Sequence, residues 1–237
     1  MSLYAKSMQA VVLVGGNASR LKASGVPVPL SKSFMELNGE PLLYWNLTSL
    51  FNAGVRNLIL VGNEVRHLYA AKKVIKKLPC TFYEVIYFCD EGSGAHGIPY
   101  ELRYLLHETY IFECGHGLSE AAHYKRLTRA KQKHAVVFSA YDVRSSNIRQ
   151  PVSLRRGIVK AAKRPGKAIA HPIVADKKYA ESLLRFGFKI STIINSYAAR
   201  NALGYIKNSL PPEYDVKDEM ATAYQKYSAY IRKSLLL

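Results

Sequence analysis

Short apolar runs alternate with helix-like stretches through the first 140 residues, and this order constrains the fold more than any other feature. The first run, Gln9–Val14, is almost continuously apolar and ends at paired glycines. Such a run is typical of a strand buried on both faces of a parallel sheet. Further runs follow, separated by stretches with helical periodicity. The order β-α-β-α-β-α-β-α-β predicts an α/β fold with a doubly wound, mostly parallel sheet.

The pattern changes after residue 142. A hairpin-like segment is predicted at 156–165, a strand at 189–194, a helix at 196–208 and a last helix at about 216–237. A length of 237 residues is within the usual range of one α/β domain. Because the sequence shows no discrete linker, we predict a single domain over residues 1–237.

The formal net charge of +17, from 34 basic and 17 acidic residues, indicates attraction to polyanions. Two classes of partner fit this charge, namely nucleic acid and phosphorylated small molecules. The basic residues are scattered, several of them on predicted helix faces, and the sequence contains no zinc-finger, helix-turn-helix or aromatic RNA-binding pattern. We therefore expect no specific nucleic-acid partner.

The sequence also bears on the compartment of the protein. Residues 1–8 lack the apolar core of a secretory signal, and no run approaches the roughly 18 apolar residues of a membrane helix. Three widely spaced cysteines, Cys80, Cys89 and Cys114, suit neither a disulfide framework nor a zinc site. We predict a cytoplasmic protein without a membrane partner, in which Cys89 and Cys114 are buried free thiols.

The loop after the first strand carries the densest set of candidate binding residues. Gly15 and Gly16 permit a sharp turn and a close approach of the backbone to a ligand. Successive loop N–H groups can then face phosphate oxygens. Arg20 offers a bidentate, permanently charged contact, and Lys32 can bring a second cation to the same phosphates. The loop is not a P-loop, because no Gly-Lys-Ser/Thr closes it.

These residues resemble the opening of the sugar-1-phosphate nucleotidyltransferases. That family begins with an apolar strand, Gly-Gly, a further small residue, Thr or Ser, Arg and Leu, and this chain has GGNASRL at 15–21. Residues 31–45 (SKSFMELNGEPLLYW) and 50–61 are also similar to the family. The resemblance implies a Rossmann-like nucleotide-diphospho-sugar transferase fold, with Arg20 and Lys32 as the catalytic residues. It also implies that the triphosphate is held by Gly15, Gly16, Ser19, Arg20 and Lys32.

Weaker similarity continues to about residue 207. Residues 92–97 (GSGAHG) resemble the base-contacting segment of the family, which assigns Gly94 and Ala95 to the nucleotide. A strand followed by Lys163-Arg164-Pro165 resembles one whose lysine meets the sugar phosphate, so Arg164 takes that role. The resemblance divides the chain into a nucleotide-binding part at about 8–142, a sugar-phosphate part at about 143–210 and the C-terminal helix.

Two acidic positions hold Mg²⁺ in the family, and both differ here. His116, in Gly115-His116, stands where the family has Gly-Asp, with Gly115 assigned to the nucleotide, and Asn195 stands at the second position. Since Mg²⁺ prefers hard oxygen ligands, the Mg²⁺ expected from the family is doubtful at His116 and Asn195. Three interpretations follow. In the first, a different acidic residue supplies the carboxylate. In the second, the site uses a metal that accepts histidine, and in the third, the protein has lost or changed the chemistry. The candidate acids are Asp90, Glu91 and Asp142.

The resemblance implies transfer of a nucleoside monophosphate from a nucleoside triphosphate to a sugar 1-phosphate or a similar phosphorylated acceptor, with release of pyrophosphate. The expected partners are therefore a nucleoside triphosphate and a sugar phosphate. The alternative within the same fold is a catalytically impaired nucleotide- or phospho-sugar-binding protein. A nucleic-acid binder is a third hypothesis, which rests on the net charge alone.

Overall fold

A computed structural model describes residues 8–90, 98–142, 151–155, 158–161, 167–183, 195–197, 199–200, 202–208, 210 and 217–235. Its strands are β1 Met8–Leu13, β2 Glu36–Leu37, β3 Glu40–Pro41, β4 Val55–Gly62, β5 Glu84–Cys89, β6 Thr109–Cys114, β7 Val136–Asp142, β8 Pro151–Arg155, β9 Ile158–Ala161, β10 Lys167–Asp176 and β11 Leu203–Lys207. Its helices are α1 Ser19–Ala23, α2 Leu42–Asn52, α3 Val65–Lys77, α4 Ile98–Glu101, α5 Ala121–Lys131, α6 Lys177–Ser182 and α7 Lys217–Ser234, with a 3₁₀ turn at Lys32–Phe34.

The chain divides into two compact units. Unit 1 comprises Met1–Gly92, Glu113–Ala121 and Leu210–Leu237, and unit 2 comprises Ser93–Phe112 and Ala122–Ser209. The C-terminal helix α7 therefore belongs to the same unit as the glycine-rich loop. The single domain over residues 1–237 stays a prediction.

Unit 1 contains the parallel strands β1, β4 and β5. Leu13 of β1 pairs with Val61 of β4, and Val61 pairs with Phe88 of β5. The interior of β1 and nearly all of β4 are buried, as expected for apolar runs covered on both faces. Helix α2 follows Pro41 and is succeeded by Gly54, whose φ of +103° favours glycine.

Helix α7 packs into a hydrophobic cluster of unit 1. The cluster joins side chains from the loop after β1, from α2, from the loop after β6 and from α7 itself. Its buried members include Leu21, Val26, Met35, Leu37, Leu42, Trp45, Leu118, Leu210, Ala223, Tyr227, Tyr230 and Ile231. The tyrosines of α7 are therefore part of a folded core.

Unit 2 is built around β10, which runs antiparallel to β6 and to β7. Strand β7 pairs with β11 in parallel, and β8 and β9 form an antiparallel hairpin. The predicted α/β architecture with a mostly parallel sheet is confirmed, with β10 and the β8–β9 hairpin as its antiparallel parts. Among the helices that the structure describes, none is both long and apolar enough to cross a membrane.

A buried histidine in unit 2 takes part in a hydrogen-bond chain. Ser139 Oγ donates to Pro172 O at 2.8 Å, so its proton is not available to the neighbouring His123 Nε2, also at 2.8 Å. His123 must therefore donate from Nε2. Burial, and then the charge of Arg126, lower the pKa of His123 to about 3, which keeps this imidazole neutral at pH 7.

Three local predictions are wrong. Cys89 is exposed, whereas Cys114 is buried as expected. The predicted helix at 196–208 contains strand β11, because Leu203–Lys207 pairs with β7 and Gly204 packs closely on the ring of His134. The hairpin begins before residue 156, at β8, so its predicted bounds were too late. The strand predicted at 189–194 lies outside the described residues.

Candidate functional site

Each of the two positions after β1 requires glycine for a different structural reason. A Cβ built on Gly15 would lie 2.8 Å from Asn63 N, closer than real Cβ atoms approach, and 3.1 Å from Asn63 Cγ, which is a tight contact. Gly16 has a φ of +109°, in the region that favours glycine, and its N–H donates to Asn63 Oδ1 at 3.1 Å. Asn63, directly after β4, therefore fixes the glycine turn at the carboxyl ends of two neighbouring strands.

Helix α1 follows this turn and carries the first candidate cation. Ala18 takes a left-handed conformation, with φ 49° and ψ 33°, immediately before the helix begins at Ser19. Lys22 N–H then donates to Ala18 O at 3.0 Å, which closes the first helical turn. Ser19 and Arg20 are both exposed. The chain reversal thus presents a hydroxyl and a guanidinium to solvent directly after the glycines.

A second anchor brings Lys32 back to the end of β1. Ser31 is fully buried, and its Oγ donates to Val14 O at 2.6 Å across 17 residues of sequence. Lys32 is the next residue, begins the 3₁₀ turn and is half-buried. The structure therefore brings Gly15, Gly16 and Lys32 to one end of β1.

The turn that carries His116 lies beside the same end of β1. Gly115 N–H donates to Leu13 O at 2.8 Å, and Gly117 N–H donates to Cys114 O at 2.9 Å. A Cβ built on Gly115 would lie 3.0 Å from both Leu43 Cδ1 and Ser33 Oγ, so the neighbours leave almost no room for a side chain. His116 occupies the middle of this turn and is half-buried.

Several residues that shape the site are not predicted by the sequence. Asn63 and Ser31 anchor the glycine loop, while Asn46 and Ser49 of α2 bond the loop after β6. The available signal was a pair of polar residues three apart, Asn46 and Ser49, in a mostly apolar helix. Fully buried polar groups are usually hydrogen-bonded, so such a pair indicates a specific partner.

The other candidate residues are dispersed. Asp90 is buried directly after β5, and its N–H donates to Gly62 O at 2.8 Å, which places its backbone beside the end of β4. Asn195 is exposed and belongs to unit 2. Asp142 is the last residue of β7. Gly94, Ala95, Glu91 and Arg164 lie outside the described residues.

Arg20 and Lys32 are the candidate cations of the described site. His67 of α3 packs against Gly62 near the glycine turn, but burial lowers the pKa of its imidazole and favours the neutral form. Within the described ranges, no three His, Cys, Asp or Glu side chains are grouped as a metal site. The arrangement offers loop N–H groups and two flexible cations, which suit phosphate oxygens.

Solved structures share this fold over nearly the whole chain. The inositol-1-phosphate CTP transferase from T. maritima has a TM-score of 0.74 at 18% identity, covering 96% of this chain and 98% of that one. A putative glucose-1-phosphate thymidylyltransferase from Bacillus anthracis has a TM-score of 0.73 at 13% identity, covering 94% and 96%. At these identities the similarity shows the fold alone.

Sequence comparison gives the family. The 2-C-methyl-D-erythritol 4-phosphate cytidylyltransferase of Lachnoclostridium phytofermentans (strain ATCC 700394 / DSM 18823 / ISDg) is 31% identical over 88 residues, 37% of this chain. The match spans only 35% of that relative. The family model of the MobA-like NTP transferase domain matches residues 10–198. The resemblance to nucleotidyltransferases is thus confirmed, and the protein belongs to the family of the MobA-like NTP transferase domain.

Proposed function

We propose that the protein transfers a nucleoside monophosphate from a nucleoside triphosphate to a sugar 1-phosphate or a similar phosphorylated acceptor. The observation that carries this proposal is the loop from Gly15 to Lys32. Asn63 and Ser31 anchor its two ends at the carboxyl end of β1, with Arg20 exposed between them. Ligands of open α/β sheets bind at this edge of the sheet.

In the proposed reaction, an oxygen of the acceptor phosphate forms a bond to the α-phosphorus of the nucleotide. The bond from that phosphorus to the α,β-bridging oxygen breaks, and both bonding electrons leave with pyrophosphate. The protein contributes mainly positioning and charge neutralisation. Because the Gly16 N–H donates to Asn63 Oδ1, the N–H groups that orient the phosphates are those of the following loop residues. Arg20 and Lys32 offset the charge that develops on the leaving pyrophosphate.

The acceptor side of this proposal rests on the resemblance. Arg164 is proposed to bind the incoming phosphate, and Gly94 and Ala95 are proposed to contact the base. The names of the proteins with similar structures refer to phosphorylated acceptors of several kinds, among them inositol 1-phosphate and glucose 1-phosphate. A phosphorylated polyol or sugar is therefore the acceptor class that we propose.

Mg²⁺ is the metal that this family generally uses, and the two positions assigned to it fit poorly. His116 offers an imidazole in a tight glycine turn, and Asn195 offers an exposed amide in the other unit. Neither supplies the anionic oxygen that Mg²⁺ prefers. We therefore assign no Mg²⁺ to this residue pair and derive the roles of Arg20 and Lys32 without it.

The alternative is a catalytically impaired protein that binds a nucleotide or a phospho-sugar. It is favoured by the resemblance, which puts His116 where the family has an acid, while hydrogen bonds still hold the glycine turn in place. Binding and catalysis would then be separable properties of the site. This alternative predicts triphosphate binding without pyrophosphate release.

The experiment has two stages. A panel of the common nucleoside triphosphates is titrated calorimetrically against the full chain, with and without Mg²⁺ or Mn²⁺. The triphosphate that binds is then incubated with a panel of sugar and polyol phosphates while pyrophosphate is measured. Release that depends on the acceptor supports the transferase, binding without release supports the alternative, and failure of every triphosphate to bind contradicts both.

A further inference from the structure

A chain of hydrogen bonds connects α7 to the segment that follows the His116 turn. Ala121 N–H donates to Tyr230 Oη at 3.3 Å, and Tyr230 Oη lies 3.1 Å from Ser49 Oγ. Ser49 Oγ in turn donates to Ser119 O. Because the single hydroxyl proton of Ser49 is used on Ser119, Tyr230 must be the donor to Ser49.

This chain of hydrogen bonds encloses a short backbone segment. It begins at the N–H of Ala121 and ends at the carbonyl of Ser119, so two side chains from distant helices close both ends of a three-residue segment. All four residues of this chain of hydrogen bonds are buried or half-buried. Hydrogen bonds in such a chain polarise one another, and losing one member leaves the others poorly satisfied.

Two further contacts hold the residues between His116 and this segment. Asn46 Nδ2 donates to Gly117 O at 2.5 Å, and Leu118 is buried in the cluster that contains Ala223 and Ile231 of α7. His116 is thus the half-buried member of a turn whose flanking residues are each fixed by α2, by α7 or by β1. The turn has a defined place beside the glycine loop because these contacts exist.

Helix α7 lies beyond the region that the family model matches, since that match ends at residue 198. We propose that Tyr230 is a positioning residue, which holds the His116 turn in register with the triphosphate loop. The role in binding rests on the proposed function. The C-terminal helix then completes the nucleotide site from outside the matched domain.

The hydroxyl of Tyr230 is tested with Tyr230→Phe, which removes one oxygen and keeps the ring. The matched control is Tyr227→Phe, which removes a hydroxyl from the same buried face of α7. In Tyr230→Phe we expect the Ala121 amide to exchange with solvent about tenfold faster, as loss of one hydrogen bond implies. We also expect a shifted imidazole resonance of His116, assigned by its loss in His116→Gln.

Ligand measurements then separate positioning from stability. Well below the melting temperature, we expect Tyr230→Phe to weaken triphosphate binding about three- to tenfold, whereas Tyr227→Phe binds as the natural protein does. Ser49→Ala interrupts the chain from the other helix and should reproduce the His116 shift. This second variant keeps the proposal testable if Tyr230→Phe folds poorly.

The outcomes are distinct. An unchanged His116 resonance and unchanged Ala121 exchange in Tyr230→Phe and Ser49→Ala overturn the proposal. Equal losses of affinity in Tyr230→Phe and Tyr227→Phe also overturn it, because they indicate a general effect on the fold. If the natural protein binds no triphosphate, the proposed function fails, while the resonance and exchange data still decide whether Tyr230 holds the turn.

Discussion

Substitution of Gly15 by alanine tests the geometry of the glycine turn. The added Cβ would lie 2.8 Å from the backbone nitrogen of Asn63 and would overlap the amide of that side chain. The Asn63 side chain can rotate away, but its backbone nitrogen cannot, because Gly62 before it is held in β4. The glycine turn must therefore shift by several tenths of an ångström, and the Gly16 bond to Asn63 Oδ1 is lost.

The expected magnitude follows from these two effects. Overpacking a close contact costs about 1–3 kcal/mol of folding free energy. The hydrogen bond from Gly16, 3.1 Å long and exposed, contributes at the low end of about 0.5–1.5 kcal/mol. A displaced turn no longer aims its N–H groups at the phosphates, so we expect triphosphate affinity to fall about tenfold, or about 1.4 kcal/mol.

Gly54→Ala is the matched control. Gly54 has a φ of +103°, and a Cβ built on it meets no heavy atom within 4 Å in the described part of the chain. Backbone strain should then cost about 1–2 kcal/mol of stability without moving the glycine turn. Thermal unfolding and calorimetric titration are measured for both variants. An unchanged affinity in Gly15→Ala, or an equal loss in Gly54→Ala, would refute the reasoning.

Three further predictions concern pH, metal and polyanions. Folding lowers the pKa of His123 to about 3, so the free energy of unfolding should decline as pH falls below about 6.5, by up to about 1.4 kcal/mol per pH unit. Urea titrations from pH 7 to pH 4 should show a shallower decline in His123→Gln. His116→Asp should raise Mg²⁺ affinity in the nucleotide complex, and His116→Asp with Asn195→Asp should raise it further; robust Mg²⁺-dependent turnover by the natural protein would contradict this ligand assignment. Nucleic-acid binding should be non-specific and should weaken steeply with added salt; sequence-selective binding that survives moderate salt would contradict it.

The parts of the fold that local sequence determines were predictable. The apolar run at Gln9–Val14, its glycines and the Pro41 and Gly54 bounds of α2 each have a local physical cause. The structure places β1 within one residue of the apolar run, and α2 lies within one or two residues of Pro41 and Gly54. The proximity of Lys32 to Gly15 and Gly16 was predictable only through the resemblance. Lys32 returns to β1 through a contact between residues that are distant in sequence, and no local pattern shows such a contact.

Features that depend on tertiary contacts were not predictable. The residues around β11 have a helix-like sequence pattern, but Leu203–Lys207 forms a strand because it pairs with β7. Asn63, Ser31 and Tyr230 act through bonds to residues 17 to 181 positions away. A single sequence shows that such residues are polar, but it does not show which buried backbone group each one satisfies.

The central claim is that a nucleoside triphosphate binds at the loop from Gly15 to Lys32, and calorimetric titration of three variants tests it most directly. Arg20→Ala and Lys32→Ala should each weaken binding by about 1–3 kcal/mol, or roughly 5- to 150-fold, because each removes a charged partner of the phosphates. Lys22→Ala removes the same charge from an exposed position of α1 and should change affinity less than about twofold. Titration curves of Arg20→Ala and Lys32→Ala that match the natural protein would contradict the account.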